Sequence, residues 1–249
     1  MKVKIVSKPT PNVDEIKEHI KKLANKYGLT LTEDEPDVVI AVGGDGTLLK
    51  AIRYFKPIVA VKAGRRGFMM DVLPENLEQA FSRLVKHDYV TEEYMLLETE
   101  VEGVKALAFN EIGVLYDKPE ALKINVRFLE DSIVFEGDGV LVSTPQGSSA
   151  WSFSISGNYV YRVNALEVCL VNPILTSLKS VVIPPVSVRL SIMDKGYQQW
   201  ARVVSDGEIV AKVRNSTEIE IRVSDKKAKI LRFYKIDPIQ GILNGKRDI

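Results

Sequence analysis

The most informative residues of this chain form the run Gly-Gly-Asp-Gly-Thr at residues 43–47. An apolar run typical of a buried strand, residues 37–42, precedes it, and a helix-like run, residues 48–52, follows it. Glycines let the backbone turn sharply and leave its N–H groups uncovered, and at the start of a helix such donors can hold a phosphate. Because a bare carboxylate repels phosphate, Asp45 indicates either a nearby cation or a base that accepts a proton from an attacking hydroxyl. The run therefore predicts phosphoryl transfer.

Two familiar glycine motifs do not fit this run. A P-loop requires a Lys-Ser or Lys-Thr pair after its glycines, and no such pair follows here. The dinucleotide-binding pattern Gly-x-Gly-x-x-Gly begins at Gly44 and Gly46 but has Leu49 in place of the third glycine. The alternative that stays open is a tight strand-to-helix turn that binds no ligand.

The composition is that of a globular protein. The chain has 249 residues, 45% of them hydrophobic, which suits one large domain or two small ones. Its net charge of +1 gives no electrostatic footprint for nucleic acid or an anionic membrane. No apolar run approaches the roughly 18 residues of a membrane span, and the first residues read as a strand and not as a signal peptide. A single cysteine, Cys169, excludes an internal disulfide and reads as a core residue. We expect a cytoplasmic protein without nucleic-acid or membrane partners.

Histidine chemistry has little support. The two histidines, His19 and His87, both lie beside charged residues and read as solvated. A histidine-based triad or metal site is therefore not expected. If a metal takes part, oxygen ligands and Mg²⁺ or another divalent cation are the expectation.

The first part of the chain alternates strand and helix signals. The predicted strands cover residues 2–7, 37–42 and 57–61, and the predicted helices cover residues 13–27 and 74–86. Asn12 is the predicted N-cap of the first helix. This alternation predicts an α/β domain with a parallel sheet, whose ligand lies at the carboxyl ends of the strands.

After about residue 89 the pattern changes to short alternating runs, which are typical of β-strands. The predicted strands cover residues 98–101, 106–114, 122–129, 139–143, 181–192, 201–205, 208–213, 218–223 and 228–234. We therefore expect an α/β domain at residues 1–90 and a mainly β domain at residues 91–236. Residues 237–249 either complete the first domain or fray.

A pair of adjacent polar residues, Asn110 and Glu111, interrupts the apolar run 108–114. Together they offer hydrogen-bond donors and acceptors that suit a ribose diol or an amide. A polar sheet edge without a ligand is the alternative.

Two glycine-containing segments complete the pattern. Residues 137–151 combine a turn carboxylate, a strand and a hydroxyl-rich turn, in which Ser148 or Ser149 is predicted to cap a helix that includes Trp151. Residues 64–68, Gly-Arg-Arg-Gly-Phe, form a cationic loop after the third predicted strand.

Taken together and in this order, these segments resemble the NAD kinase family over most of the chain. The resemblance implies phosphoryl transfer from ATP or polyphosphate to the 2′-hydroxyl of the adenosine ribose of NAD, dependent on Mg²⁺ or another divalent cation. It also implies an α/β domain joined to a β-rich NAD-binding domain, and a homodimer or homotetramer.

Carried over to this chain, the resemblance implies that Asp45 is the catalytic carboxylate. It implies that phosphate is bound by Gly43, Gly44 and Thr47. It implies that NAD is bound by Gly46, Lys50, Phe68, Asn110, Glu111, Asp138, Ser149, Ala150, Trp151, Ser152, Phe153 and Ser154. Phe68 would pack against the adenine.

The chain departs from the family pattern at several positions. Ser149 and Trp151 replace the usual Thr and Tyr, and Ser-Gly-Asn-Tyr at residues 156–159 replaces Gly-Gly-Pro-Ile. Pro-Ile-Leu-Thr-Ser-Leu at residues 173–178 stands where the family has Pro-x-x-Pro-His-Ser-Leu, without its second proline and its histidine. Asp-Gly-Glu at residues 206–208 replaces Asp-Gly-Gln.

Two other functions share part of the pattern. A lipid kinase of the diacylglycerol or sphingosine type has the same Gly-Gly-Asp-Gly-Thr turn, but not the Asn-Glu pair. A non-catalytic sensor of NAD or NADP is the second alternative, although an intact Asp45 argues for catalysis.

Overall fold

The structure is a computed structural model that describes residues 1–9, 11–64 and 67–240. The chain forms two compact units. Of the described residues, the first unit comprises those of 1–94 and 227–240, and the second comprises 95–226. The expected domain boundaries at residues 90 and 236 stay a prediction, and of the segment 237–249 only residues 237–240 are described.

The first unit alternates strands and helices as the sequence predicts. Its elements are β1 (Lys2–Ser7), α1 (Pro11–Lys26), β2 (Thr30–Leu31), β3 (Val38–Gly43), α2 (Asp45–Ile52), β4 (Ile58–Lys62), a 3₁₀ turn (Pro74–Asn76) and α3 (Leu77–Val85). Two longer strands, β5 (Val90–Val101) and β16 (Glu218–Arg232), contribute their residues 90–94 and 227–232 to this unit.

The sheet of the first unit runs in the order β2-β1-β3-β4-β16, and every one of these neighbours pairs in parallel. All six residues of β3 are buried, which explains its unbroken apolar sequence. The register places Ser7 beside Val42 and Gly43 beside Lys62. Three strands therefore end at the same edge of the sheet, where the 43–47 turn begins.

Helix α1 packs its apolar face into the core of this unit through Val13, Ile20, Leu23 and Ala24. Asn12 is not its N-cap, because the helix already includes Pro11 and Asn12 lies in its first turn. Proline is well suited to the first turn, since its missing N–H has no partner there in any case.

The second unit is mainly β. Within the described residues 95–226, it contains the remaining residues of β5 and β16 and ten further strands. These are β6 (Val104–Ala108), β7 (Glu111–Tyr116), β8 (Leu122–Phe128), β9 (Asp131–Gly137), β10 (Gly139–Ser143), β11 (Leu166–Val171), β12 (Ser180–Ile183), β13 (Val188–Ile192), β14 (Trp200–Ser205) and β15 (Glu208–Arg214). A short helix, α4 (Trp151–Ser156), follows β10. Strands pair in the order β12-β11-β10-β7-β14-β15 in one sheet and β16-β13-β8-β9 in the other.

One apolar cluster joins the two sheets of this unit, with Ile112 and Val142 from the first sheet and Ile124 and Leu190 from the second. Alternating side chains of the strands supply this core, as the short alternating runs predict. Cys169 is fully buried on β11, and burial raises the pKa of its thiol, so it is the core residue that the sequence indicates.

Several strand boundaries differ from the expectation. The run 106–114 is two strands, because the chain turns at Phe109 and Asn110. The run 181–192 is also two strands, separated around Pro184 and Pro185, since proline cannot donate a ladder hydrogen bond. Conversely, the predicted strands 218–223 and 228–234 form one long strand, β16, which ends at Arg232, so residues 233 and 234 lie beyond it. The strands β9 and β11 were not predicted.

No helix within the described ranges combines the length and the apolar character needed to cross a lipid bilayer.

Candidate active site

The 43–47 turn joins β3 directly to α2. Gly44 is extended, with φ −123° and ψ −166°, and its carbonyl accepts the N–H of Thr47 at 2.8 Å. A Cβ on Gly43 would lie 2.3 Å from Thr47 Oγ1, so no side chain fits at that position without moving the threonine. The N–H of Leu48 also donates to the Gly44 carbonyl, at 3.2 Å. Among the described residues, the N–H groups of Asp45 and Gly46 are therefore the ones at the start of α2 that are available to an anion.

Asp45, the first residue of α2, is held by a loop that follows β4. Its Oδ2 accepts the N–H of Phe68 and its Oδ1 accepts the N–H of Met69, both at 3.0 Å. A Cβ on Gly67 would lie 3.7 Å from the Cα of Gly44, so this loop lies against the turn itself. Each carboxylate oxygen has a further lone pair. Asp45 is thus oriented, half-buried and still able to accept a proton.

The loop contacts Asp45 through its main chain, and the predicted adenine contact of the Phe68 ring stays a prediction. The cationic residues of this loop, Arg65 and Arg66, lie outside the described residues.

Two lysines of the first unit differ in where the fold places them relative to the 43–47 turn. Lys50, the predicted basic position, is exposed in the last turn of α2, at the other end of this helix from Asp45. Lys8 follows β1, and its Nζ lies 3.7 Å from where a Cβ on Gly46 would be. Because Ser7 and Gly43 end adjacent strands, the sheet itself brings Lys8 to the turn. Lys8 is the better placed of the two to meet a phosphate there.

In the second unit, the backbone at Asn110 and Glu111, where β7 begins, is hydrogen-bonded to the carboxylate of Asp206. Oδ2 of Asp206 accepts the N–H of Phe109 at 2.7 Å, and Oδ1 accepts the N–H groups of Asn110 at 2.7 Å and Glu111 at 3.2 Å. The N–H of Asp206 in turn donates to the carbonyl of Glu111 at 3.0 Å. Asp206 therefore fixes the backbone of the Asn-Glu pair.

The carbonyls of the turn at Phe109 and Asn110 are held by the segment that follows β10. Phe109 O accepts from Thr144 Oγ1 at 2.6 Å and from Gln146 Nε2 at 2.8 Å, and Asn110 O accepts the N–H of Thr144 at 2.9 Å. A Cβ on Gly147 would lie 2.1 Å from Asn110 O. The glycine at this position is therefore required by close packing against the turn.

The Glu111 carboxyl is buried, with 4% of the residue exposed, and its Oε2 has no hydrogen-bond partner among the described residues. Burial raises the pKa of this carboxyl to about 8, and the negative charge of Asp206 adds to the shift. Glu111 thus carries a proton at neutral pH, and the group can donate a hydrogen bond as well as accept one.

The protonation of Glu111 predicts how the stability of the folded protein depends on pH. The folded protein keeps this proton up to about pH 8, whereas the ordinary value for a free Glu is 4.5. Between these values the folded state binds more protons than the unfolded state, so stability falls as the pH rises, by at most about 1.4 kcal/mol per pH unit. We expect the melting temperature of Glu111→Gln to depend less on pH in this window.

The measurement is thermal unfolding followed between pH 5 and pH 8, a window set by the Glu111 carboxyl. Glu102→Gln, at an exposed turn, is the control and should keep the slope of the unaltered protein. Parallel slopes for Glu111→Gln and the unaltered protein would show that the carboxyl is not protonated.

The remaining predicted residues lie around β10 and α4 of the second unit. Asp138 precedes β10, and its Oδ2 accepts from Asn172 Nδ2 at 2.7 Å. Ser152 is fully buried and donates to Gly147 O at 3.1 Å. Trp151 and Ser154 are exposed on α4, Ser149, Ala150 and Phe153 are half-buried, and their contact with NAD stays a prediction.

Neither serine caps α4 as predicted. Within the described chain no side chain caps this helix, which begins after Ala150. Ser148 Oγ donates to Pro145 O at 2.6 Å, and Ser149 Oγ donates to Gln146 O at 2.9 Å. Both hydroxyls instead stabilise the 3₁₀ turn Gly147–Ser149, which precedes α4, because donation to the carbonyl three residues back competes with capping.

A resident metal centre is not built into the described residues, which contain no group of three or more His, Cys, Asp or Glu side chains suited to a metal. Mg²⁺ does not need one, since it is usually bound by one or two carboxylates together with substrate phosphates and water. Asp45 is a carboxylate at the start of α2, and this arrangement fits Mg²⁺ that arrives on a polyphosphate.

The sequence alone did not single out the residues that contact the 43–47 turn and the turn at Phe109 and Asn110. Thr144 and Gln146 lay inside a recognised segment, but their partners are main-chain carbonyls. Asp206 was visible only as part of the Asp-Gly-Glu run at residues 206–208, and Lys8 only as a charged residue after the first predicted strand.

Comparisons with known proteins show which family the chain belongs to. The ATP-NAD kinase N-terminal domain matches residues 3–89, and the ATP-NAD kinase C-terminal domain matches residues 110–233. The NAD kinase of Saccharolobus solfataricus is 53% identical over 246 residues, which cover 98% of this chain and 99% of that protein. The chain belongs to the NAD kinase family. The NAD kinase of Sulfurisphaera tokodaii is 42% identical, over 97% of this chain and 99% of that protein.

Solved structures of NAD kinases share the fold. An NAD kinase from Archaeoglobus fulgidus in complex with ATP superposes with a TM-score of 0.82 at 23% identity, covering 100% of both chains. Yeast NADH kinase complexed with NADH superposes with a TM-score of 0.89 at 20% identity, covering 100% of this chain and 88% of that one. The predicted family, fold class and NAD kinase function are therefore confirmed, and the lipid kinase and sensor alternatives are set aside.

Proposed function

We propose that this NAD kinase family member transfers the terminal phosphoryl group of ATP to the 2′-hydroxyl of the adenosine ribose of NAD, with Asp45 as the base. The observation that carries the proposal is the position of the Asp45 carboxylate. It stands at the start of α2, is oriented by two backbone N–H groups, and has lone pairs left to accept the hydroxyl proton.

The donor polyphosphate is proposed to lie on the 43–47 turn. Three features of the turn support this placement: the N–H groups at the start of α2, the missing side chains of Gly43 and Gly44, and the ammonium of Lys8 near Gly46. Mg²⁺ bound to the polyphosphate would neutralise part of its charge. Most of the rate acceleration then comes from positioning and electrostatic stabilisation, as is usual for phosphoryl transfer.

NAD is proposed to bind through the Asn110–Glu111 pair, with Asp138 and residues 149–154 as further contacts. The backbone of this pair is held on both sides: Asp206 accepts the N–H groups of both residues, and the N–H of Thr144 donates to the Asn110 carbonyl. A protonated, buried Glu111 can donate to a ribose or adenine acceptor, and the Asn110 amide can donate and accept. A fixed set of hydrogen-bond donors and acceptors of this kind suits the uncharged polar groups of the ribose and adenine of NAD.

We further propose a cytoplasmic homodimer or homotetramer that uses Mg²⁺. The single buried cysteine suits a reducing compartment, and the oligomer rests on the resemblance to the family. Polyphosphate is the alternative donor, and the donor assay below includes it.

The proposed donor site is tested by steady-state NADP formation from NAD with Mg²⁺ and either ATP or polyphosphate. The unaltered protein is expected to form NADP with ATP. Lys8→Met is expected to raise the KM for ATP about 3- to 10-fold, because one charged contact to phosphate is lost. The KM for NAD should change by less than about twofold.

Lys86→Met is the matched control, since Lys86 is an exposed lysine that follows α3. It should leave both constants unchanged. An equal rise of both KM values in Lys8→Met would contradict a donor-specific contact, and NADP formation with polyphosphate alone would reassign the donor.

A further inference from the structure

The loop that holds Asp45 is itself held by a buried arginine. Arg232, the last residue of β16, is 5% exposed. Its Nη1 donates to the carbonyl oxygen of Met69 at 2.6 Å. The N–H of the same Met69 donates to Oδ1 of Asp45 at 3.0 Å. One residue therefore connects the guanidinium to the carboxylate through its two backbone groups.

The guanidinium is fixed in orientation by three more partners. Its Nη1 also contacts Asp71 Oδ1 at 3.1 Å, its Nε donates to Glu92 Oε2 at 2.7 Å, and its Nη2 donates to Tyr94 OH at 2.9 Å. A planar fork with partners on all three nitrogens cannot rotate without breaking hydrogen bonds. The direction of its bond to Met69 is therefore set by the surrounding residues.

Asp71 extends this network to the main chain that directly follows β16. Its side chain is fully buried, and its Oδ2 accepts the N–H groups of Phe233 at 2.9 Å and Tyr234 at 3.2 Å. The next residue, Val72, exchanges hydrogen bonds with β4, donating to Ala60 O at 3.0 Å and accepting from Lys62 N–H at 2.8 Å. The C-terminal end of the 67–70 loop is thus fixed to the sheet.

We propose that Arg232 is a positioning residue for phosphoryl transfer, because it holds the Met69 carbonyl and so keeps the Phe68 and Met69 N–H groups directed at Asp45. This inference rests on the proposed role of Asp45 as the base. Arg232 does not touch the reacting atoms. It limits the rotation of the carboxylate, and a small error in the placement of a base is costly in this kind of reaction.

The test uses Arg232→Met, which removes the donors and keeps an unbranched chain. The kcat for NADP formation is expected to fall on the order of 10- to 100-fold, while the KM values for NAD and ATP change by less than about threefold. Arg232→Lys retains the buried positive charge beside Asp71 but not the planar fork, and it should lie between the unaltered protein and Arg232→Met. It also keeps the test available if Arg232→Met does not fold.

Arg83→Met is the matched control. Arg83 also donates to a main-chain carbonyl of the first unit, that of Phe233, but none of its described bonds reaches the 67–70 loop. This control should reduce thermal stability without lowering the kcat of the folded protein by more than about twofold.

Combination with Asp45→Asn separates positioning from a general structural role. If Arg232 acts through Asp45, the Arg232 substitution lowers the residual turnover of Asp45→Asn by less than about twofold, since there is no base left to position. The same fractional loss in both backgrounds, or a kcat of Arg232→Lys and Arg232→Met close to that of the unaltered protein, overturns the proposal.

The unaltered protein is assayed first, and this distinguishes the two possible failures. If it forms no NADP, the proposed function fails. If it forms NADP and the Arg232 variants match it, only the positioning role fails.

Discussion

Asp45→Asn is expected to lower the kcat for NADP formation by a factor on the order of 10²–10⁴. The amide is nearly the same size and its oxygen can still accept one of the two loop N–H groups, but it cannot take the proton of the 2′-hydroxyl. NAD affinity should change little, because the groups proposed to bind NAD belong mainly to the second unit. Steady-state kinetics combined with calorimetric titration of NAD measures both quantities.

Asp34→Asn is the control for this substitution, since Asp34 is an exposed acid of the same unit. It should leave the kcat and the NAD affinity unchanged. Turnover of Asp45→Asn within about threefold of the unaltered protein would remove the proposed base. Loss of NAD affinity equal to the loss of kcat/KM would instead assign Asp45 to binding.

Gly147→Ala is expected to raise the KM for NAD by more than about tenfold and to destabilise the second unit by about 1–3 kcal/mol. The added Cβ would lie 2.1 Å from Asn110 O and 2.6 Å from Ser143 Oγ. A main-chain carbonyl cannot move aside without moving Asn110 and Glu111, so the change displaces the residues proposed to hold NAD. Kinetics and thermal unfolding of the purified variant test both effects.

Gly103→Ala separates the clash from the general cost of replacing a glycine. A Cβ at Gly103 has no atom within 4 Å, although its φ of +77° makes any side chain there strained. We expect a loss of about 1–2 kcal/mol in stability and an unchanged KM for NAD. If both variants bind NAD equally well, the contact between Gly147 and the Asn110 turn is not functional.

The elements that carry the site were largely predictable from local sequence. The strand before the 43–47 turn is fully buried and therefore reads as an unbroken apolar run, and the glycines mark its end. The split of the run 181–192 was also signalled, by Pro184 and Pro185, but the alternating pattern on both sides concealed it. Hydrophobic patterns within about ten residues indicate the local secondary structure.

The contacts that hold the site could not be predicted in the same way. Asp206 binds the N–H groups of residues 109–111 from 95 to 97 positions away, and Arg232 meets Met69 across 163 positions. In each case one partner is a main-chain group, which any residue type supplies. A charged residue in an alternating strand reads as exposed, and only the fold shows that Arg232 and Asp71 are buried together.

The amides that orient Asp45 belong to the backbone, and this has a consequence for how the chain tolerates substitution. Substitution of the Phe68 or Met69 side chain does not remove these hydrogen bonds, because the donors are the backbone N–H groups. Proline is the exception, because it alone carries no amide hydrogen. At positions 68 and 69 a proline would abolish a hydrogen bond to the base that no other residue type removes.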